Sequence, residues 1–420
     1  MSIDVRNLFN GKFKKKRIYL DFAAATPLDS DVFKKMEPYW SLHYGNPGAL
    51  HTEGLFSKEA LTDAREAIAR AISVKPEEIL FTSGGTEANS LAILGFTQAL
   101  EERLKKEDRS YADTHFITSS SEHPSVLRCF SALESKGARV DFVDFNPHGL
   151  LDVAVIKKLL RKETVFMSCA YVNSEIGTVQ PVSDIAKEIR AHEKKMGTHV
   201  VFHVDASQAP LYFDCTPGAL GVDLMTIDGQ KIYGPKGVGF LYKREGVSLE
   251  PIMRGGSQEF GLRPGTENIP LIVGMKESFI KAVENKDEEV KKITALRDYF
   301  IALLKKEIPQ AILNGDQILR SPNNVNISIP GMDSEYLVIA LDERGIAATT
   351  KSACLGRSND AHSYVVASLY KKDEAVGDTH NTFAKSALRF SLGKGITKQD
   401  IRFVVSVLSH EVEKLDRLVL

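Results

Sequence analysis

A chain of 420 residues, 43% hydrophobic and 26% charged, is long enough to bury a large core and predicts two domains. Its formal net charge of -1 gives no global field for nucleic acid or a membrane surface, and no apolar run is long enough for a membrane span or a signal-peptide core. The four cysteines, Cys129, Cys169, Cys215 and Cys354, show neither metal-ligand spacing nor disulfide density, so no metal site is expected and a reducing cytoplasm is.

The basic run Lys12-Phe13-Lys14-Lys15-Lys16-Arg17 reads as a solvated N-terminal arm. From about Ile79 to Tyr242, short apolar runs alternate with amphipathic helices such as Ser183 to Lys195. Strands are predicted at 79–82, 115–118, 139–143, 165–170, 200–204, 224–227 and 238–242. That alternation predicts an α/β class with a mostly parallel seven-stranded sheet covered on both faces, and ligands outside the carboxyl ends of its strands. Farther on, Ile293, Leu296, Phe300, Leu303 and Leu304 form one stripe of a helix over 288–308. Strands are predicted at 325–329, 345–349 and 387–391. A last helix opens at the capping box Thr397 to Asp400 and buries Ile401, Val405, Leu408, Val412 and Leu415. This order predicts a smaller α+β domain of residues 1–17 and 286–420 beside a large domain of residues 18–285. Leu355 to Asn381 is the least structured stretch, around a short apolar run at Tyr364 to Tyr370.

The predicted strand ends carry the chemistry. In HVDASQ an apolar run ends at Asp205, and in DGQKIYGPKG a turn after a second run delivers Lys231. A carboxylate and an amine at neighbouring strand ends suit pyridoxal phosphate (PLP), whose aldehyde takes a lysine and whose ring nitrogen is kept protonated by a carboxylate. Taken singly, each is more often a solvated lysine or a turn-forming aspartate. Further elements overturn that bland reading. Gly84-Gly85, followed by Thr86, Glu87 and Ala88, reads as a glycine turn opening a helix, which offers N–H groups and a positive dipole end to a phosphate. It is neither a P-loop nor a dinucleotide fingerprint. In SSSEHP, His123 follows a strand and precedes a helix. There an imidazole either caps the helix or stacks on a pyridine ring and exchanges protons near neutrality.

With SGGTE, SEHP, NSEIG, HVDASQ, KIYGPKG, RPGTEN and SAC in this order, the chain from about Ile18 onward resembles the cysteine desulfurases of the NifS/IscS type, class V aminotransferase relatives with the fold type I PLP-dependent transferase architecture. The resemblance implies that Lys231 carries PLP, Asp205 pairs with the ring nitrogen, His123 stacks on the ring and Gln208 bonds the phenolic oxygen. It implies a phosphate site at Thr86 and Gln230, with Gly85 and Asp228 also lining the cofactor site and Thr266 reaching in from the other subunit of a homodimer. It puts Arg389 and Asn173 at the substrate L-cysteine, and it has Cys354, on a mobile loop of about residues 350–381, take the sulfur as a persulfide while alanine is released. The sulfur would then pass to an acceptor protein of iron-sulfur cluster assembly or tRNA thiolation. For Lys231 to act as base its pKa must fall from about 10.4, and Lys351 and Arg357 flanking Cys354 favour a thiolate over a free thiol of pKa about 8.5.

Three departures stand out against the family pattern. Asp228-Gly229-Gln230-Lys231 replaces the usual SGHK, and an ionised Asp228 repels a phosphate dianion unless it turns away or meets a cation. Ser174 stands where a second asparagine is usual, with Asn173 available to substitute for it at the cofactor. Lys351 stands where the arm often has glycine. The alternatives are another enzyme on the same scaffold, a selenocysteine lyase or an aminotransferase, and a non-catalytic protein that has lost the cofactor.

Overall fold

A computed structural model describes residues 17–350, 363–370 and 379–419. In chain order the strands are β1 (Ile18–Tyr19), β2 (Ile79–Thr82), β3 (His115–Ser119), β4 (Arg139–Val143), β5 (Thr164–Ala170), β6 (Val201–Asp205), β7 (Leu224–Asp228), β8 (Gly239–Lys243), β9 (Ile312–Leu313), β10 (Asn324–Ser328), β11 (Ile346–Ala347) and β12 (Ala387–Ser391). The described residues form two compact units: Ala25–Lys291 with Gly315–Ser321, and residues 17–24, 292–314 and 322 onward.

The larger unit is built on a seven-stranded sheet in the order β2-β8-β7-β6-β5-β3-β4. The pairs from β7 through β6, β5 and β3 to β4 are parallel. β8 runs antiparallel to both β7 and β2. Two reversals leave β2 parallel to the rest, so the carboxyl ends of β2, β3, β5, β6 and β7 share one edge of the sheet. Strand alternation then decides which side chains face which helices. Leu80, Phe116, Phe166, Val201, Leu224 and Leu241 form one core with Ala88, Leu91, Leu100 and Leu104 of the helical run from Gly85 and with Val126, Phe130 and Leu133 of the helix Pro124–Ser135. On the other face Phe240 meets Phe279 of the helix Ile269–Glu284 edge to face, ring centroids 5.2 Å apart. Val201, His203 and Asp205 lie on the first face, so Asp205 looks toward the helices that follow Gly85 and His123.

In the smaller unit β12, β10 and β9 form an antiparallel sheet, and β1 pairs parallel with β11. Ile18–Ala24 fold with this unit: Ser391 N–H donates to Leu20 O (2.7 Å) and Ala23 N–H to Ser391 Oγ (2.9 Å). Its core gathers Phe300 and Leu304 of the helix Lys286–Glu307, Leu337 and Leu341 of the helix Ser334–Glu343, and Ile401, Val405 and Leu408 of the helix Lys398–Val419 around Val325 and Phe390. The last helix opens with a reciprocal cap, Asp400 N–H to Thr397 Oγ1 (3.2 Å) and Thr397 N–H to Asp400 Oδ2 (2.9 Å). Emptying the centre of this core by Phe300→Ala is expected to cost about 3 to 5 kcal/mol of unfolding free energy, measured by denaturant titration, because the ring is fully buried beside Phe390. No described helix is long and apolar enough to cross a membrane.

Candidate active site

Four of the predicted chemical groups meet at the common sheet edge of the larger unit. β7 ends at Asp228, and a single 3-10 turn, Gly229–Lys231, carries the chain to the lysine. That turn is clamped from outside. Thr26 N–H and Thr26 Oγ1 both donate to Gln230 O (2.9 and 2.8 Å), and Tyr233 N–H donates back to Thr26 Oγ1 (2.7 Å). Tyr233, two residues after Lys231, holds a left-handed φ of 61°, uncommon for a side chain of this size. Gly239 is obligatory for the same packing, since a Cβ there would stand 2.5 Å from Ile227 O and 3.0 Å from Gly84 Cα. The glycine turn after β2 is thereby pressed against the start of β8.

Asp205 ends β6 next to β7, with Ala206 N–H bonded to Thr226 O (3.0 Å). Its carboxylate is oriented by two donors: Ser207 N–H reaches Oδ1 (3.0 Å) and Asn89 Nδ2 reaches Oδ2 (2.8 Å). Asn89 also donates to Ser125 Oγ (2.9 Å), and Ser125 Oγ lies 2.7 Å from His123 Nδ1. His123 caps the helix Pro124–Ser135, its Nδ1 accepting from Ser125 N–H (3.2 Å), so the cap expected of a histidine there is formed. Two residues back along β6, His203 is enclosed between Ser168 Oγ (2.8 Å) and Thr226 Oγ1 (3.1 Å), and burial lowers its pKa to about 4. A neutral His203 forms no ion pair with Asp205.

Glu122, beside His123, is buried and accepts from Ala170 N–H at 2.9 Å. Burial first, and the neighbouring Asp205 charge after it, raise its pKa to about 8 against that hydrogen bond. Asn173 is buried, its Oδ1 taken by Glu175 and Ile176 N–H and its Nδ2 donating to Ser121 O (3.1 Å), which leaves one amide hydrogen for a ligand. Ser174 and Gln208 are half-buried, while Thr86 and Thr266 are exposed, Thr266 in the loop before the helix Ile269–Glu284.

Asp228 bonds within its own turn. Its Oδ1 accepts from Gln230 N–H (3.3 Å) and its Oδ2 from Gln230 Nε2 (3.0 Å), so the two departures from SGHK satisfy each other. The carboxylate stands at the glycine turn, where a Cβ on Gly85 would come within 3.1 Å of Ser207 Oγ and 3.3 Å of Asp228 Cβ. Arg389, on β12 of the smaller unit, is 1% exposed and donates through Nη2 to the half-buried Asp21 Oδ1 (2.6 Å), so it does not form a surface bridge. Cys354, with Lys351 and Arg357, lies outside the described residues, as does most of the loop of about 350–381.

Asn89, Ser125, Ser207 and Glu122 are the residues that sequence reasoning missed. SGGTEANS, SEHPS and HVDASQ contain them, but read as helix openings and a strand end they give no reason to join positions 36 and 116 residues apart. Asn89 leaves its own Oδ1 buried and unbonded among the described residues, a cost of roughly 1 to 3 kcal/mol that marks the amide as held by Asp205 and Ser125.

A lysine on a rigid turn beside a carboxylate whose charge is held by two donors, with an imidazole on the same edge and a glycine-lined cradle for an anion, fits PLP and defines a PLP-dependent α/β enzyme. The Aminotransferase class-V family model matches residues 18–404. Cysteine desulfurase IscS of Dictyoglomus turgidum is 38% identical over 401 residues, covering 96% of each chain, and that of Dechloromonas aromatica is 37% identical over 410 residues, covering 96% of this chain and 94% of its own. Among solved structures, a NifS-like protein superposes with TM-score 0.84 at 28% identity over 95% of this chain and 100% of its own; SspA in complex with cysteine gives 0.74 at 31% over 90% and 99%. The chain therefore belongs to the class V aminotransferases, and within them to the cysteine desulfurases of the IscS type. PLP is the cofactor and L-cysteine the substrate of this enzyme.

Proposed function

We propose that this desulfurase works with Lys231 as the PLP lysine, Asp205 at the ring nitrogen, His123 on the ring face and Gln208 at the phenolic oxygen. The observation that carries the reading is the juxtaposition of Lys231 and a doubly hydrogen-bonded Asp205 at the ends of adjacent strands. PLP, when bound, supplies the electron sink. The protein would keep the Asp205 charge at the ring nitrogen, hold a proton on His123 and present the Lys231 amine for proton transfer at the substrate carbon. Gly85 and Thr86 receive the phosphate, Asn173 and Ser174 lie at the ring and substrate edge, and Arg389 grips the cysteine carboxylate with its planar fork. Cys354 takes the sulfur as a persulfide and delivers it, in the cytoplasm, to an iron-sulfur scaffold or a tRNA-thiolation protein. The direct test is spectroscopic: purified protein should absorb near 400 to 430 nm, as Schiff-base chemistry generally does, and change on adding L-cysteine, with alanine and sulfide as products. A keto acid appearing in their place would return the chain to the aminotransferases.

Two substitutions probe particular contacts. Asp228→Ser removes a negative charge at the phosphate cradle and frees Gln230 Nε2, while serine still caps the turn. PLP is therefore expected to bind more tightly by about 1 kcal/mol or more at an effective dielectric near 20, read by titrating PLP-free protein. Weaker binding would make the Asp228–Gln230 pair a required part of the cradle. Arg389→Lys is expected to raise the KM for cysteine, because a point charge replaces a bidentate fork. An unchanged KM would leave Arg389 with only its structural pairing to Asp21.

A homodimer completes the reading, with Thr266 of each subunit reaching the phosphate held by the other. It is supported by the apolar side chains left in water on residues 33–56, among them Leu50 (91% exposed), Tyr44 (72%) and Leu42 (70%). The double change Leu42→Glu and Tyr44→Glu is expected to give monomers in light scattering with weakened PLP binding, and an unaltered dimer would move the interface elsewhere.

A further inference from the structure

We propose that Asn89 is a positioning residue whose hydrogen-bonded chain through Ser125 sets the tautomer of His123, with the ring proton on Nε2, while orienting the Asp205 carboxylate. The inference rests on the reading of Asp205 and His123 as cofactor residues, and it assigns the proton that this reading leaves open.

The assignment follows from counting hydrogens along the chain. Asn89 is 1% exposed, near the start of the helical run that covers the Asp205 face of the sheet. Its Nδ2 stands 2.8 Å from Asp205 Oδ2 and 2.9 Å from Ser125 Oγ. An amide nitrogen has two hydrogens and does not accept, so both contacts are donations. Turning the amide over would set its oxygen against the Asp205 carboxylate, oxygen to oxygen. Ser125 Oγ thus accepts from Asn89 and has one hydrogen of its own to give. The ring nitrogen 2.7 Å away, His123 Nδ1, takes it. The Ser125 backbone N–H is directed at the same nitrogen from 3.2 Å. A nitrogen that receives these donors carries a lone pair, and the neutral ring then has its proton on Nε2.

Two consequences follow. Protonating Nδ1 would put a third hydrogen where two donors already converge, so His123 exchanges its proton through Nε2. The Asp205 carboxylate and the His123 ring also share one amide, so a single substitution loosens both. Ser125→Ala removes only the hydroxyl link and leaves the Asn89 contact to Asp205.

The test is nitrogen NMR of the full-length protein with 15N-labelled histidine, recorded both free of PLP and loaded with it, with His123→Gln used to identify the signals. Wild-type protein is expected to show His123 with hydrogen on Nε2 and a lone pair on Nδ1 in both forms. Ser125→Ala and Asn89→Ala should each raise the Nδ1–H population. Asn89→Ala alone should also weaken PLP binding by roughly tenfold or more, since Asp205 loses a donor to a charged group. A wild-type ring protonated on Nδ1, or tautomer populations unmoved in both variants, would overturn the proposal. PLP binding unaffected by Asp205→Ala would instead overturn the cofactor reading. The tautomer signal in PLP-free protein keeps the two failures apart, and Ser125→Ala keeps the test intact should Asn89→Ala not fold.

Discussion

Lys231→Ala is expected to remove alanine production from L-cysteine by about ten-thousand-fold while leaving the protein folded. Proton transfer by a positioned side chain is worth about 10² to 10⁴ in rate, and Lys231 is proposed both to transfer the proton and to hold the cofactor covalently. The fold is spared because the contacts that shape the turn are backbone contacts. Thr26 bonds Gln230 O and Tyr233 N–H, and Gly234 N–H bonds Gly229 O at 3.0 Å, and all of these remain when the lysine side chain is cut back. PLP should still enter, held by its phosphate and ring contacts, but without a covalent link to protein. Borohydride reduction of the wild type followed by peptide mass analysis should leave the pyridoxyl label on Lys231. A label on another lysine would transfer the role there, and a large fall in melting temperature of the alanine variant would show the amine to be structural.

The parts of the molecule legible in the sequence are those whose side chains obey a simple period. Most of the central strands are apolar runs, β4 (Arg139–Val143) being a mixed exception, and because parallel strands end on one edge, reading where the runs stop put Asp205, Asn173 and the Lys231 turn on that edge together. Direction is absent from such a pattern. β8 reads like its neighbours, yet it reverses, a matter of Gly229 N–H meeting Val238 O and of Gly239 fitting against Gly84. The helix Ile269–Glu284 went unread because its first half is apolar on every side, and Thr52–Ala71 because its buried stripe is made largely of alanine, glycine and serine. The Asn89–Ser125 chain was hidden for another reason. Its members are small polar residues at helix starts, where capping is the ordinary explanation, and only the folded sheet brings them to Asp205. Asp228 shows the converse: the sequence displays a charge at the expected phosphate site, and the neutral amide two residues later reads there as a separate ligand, not as its hydrogen-bond partner.

Cys354→Ala is expected to bind PLP and L-cysteine as the wild type does, with the same spectral change on adding substrate, and to release no alanine above about one part in a thousand of the wild-type rate. The groups proposed to bind cofactor and substrate, Lys231, Asp205, His123 and Arg389, are untouched. What is lost is the atom that receives sulfur. In the proposed step the Cys354 thiolate forms a bond to the substrate sulfur as the carbon-sulfur bond breaks; the electron pair stays on carbon, which takes a proton and leaves as alanine, and the sulfur remains on Cys354 as a persulfide. Water and free thiols do not match a thiolate held at high effective concentration. The other cysteines cannot stand in. Cys129, Cys169 and Cys215 are buried, and burial raises each thiol pKa above its ordinary value, so none supplies a thiolate at neutral pH. Alanine at those three positions should leave sulfur transfer intact, although the void at fully buried Cys169 will cost stability. Mass spectrometry of the wild type after brief exposure to L-cysteine should find the added sulfur on the peptide containing Cys354. Sulfur on a different peptide would move the acceptor, and wild-type alanine production by Cys354→Ala would mean that sulfur leaves without a protein nucleophile, as in a lyase.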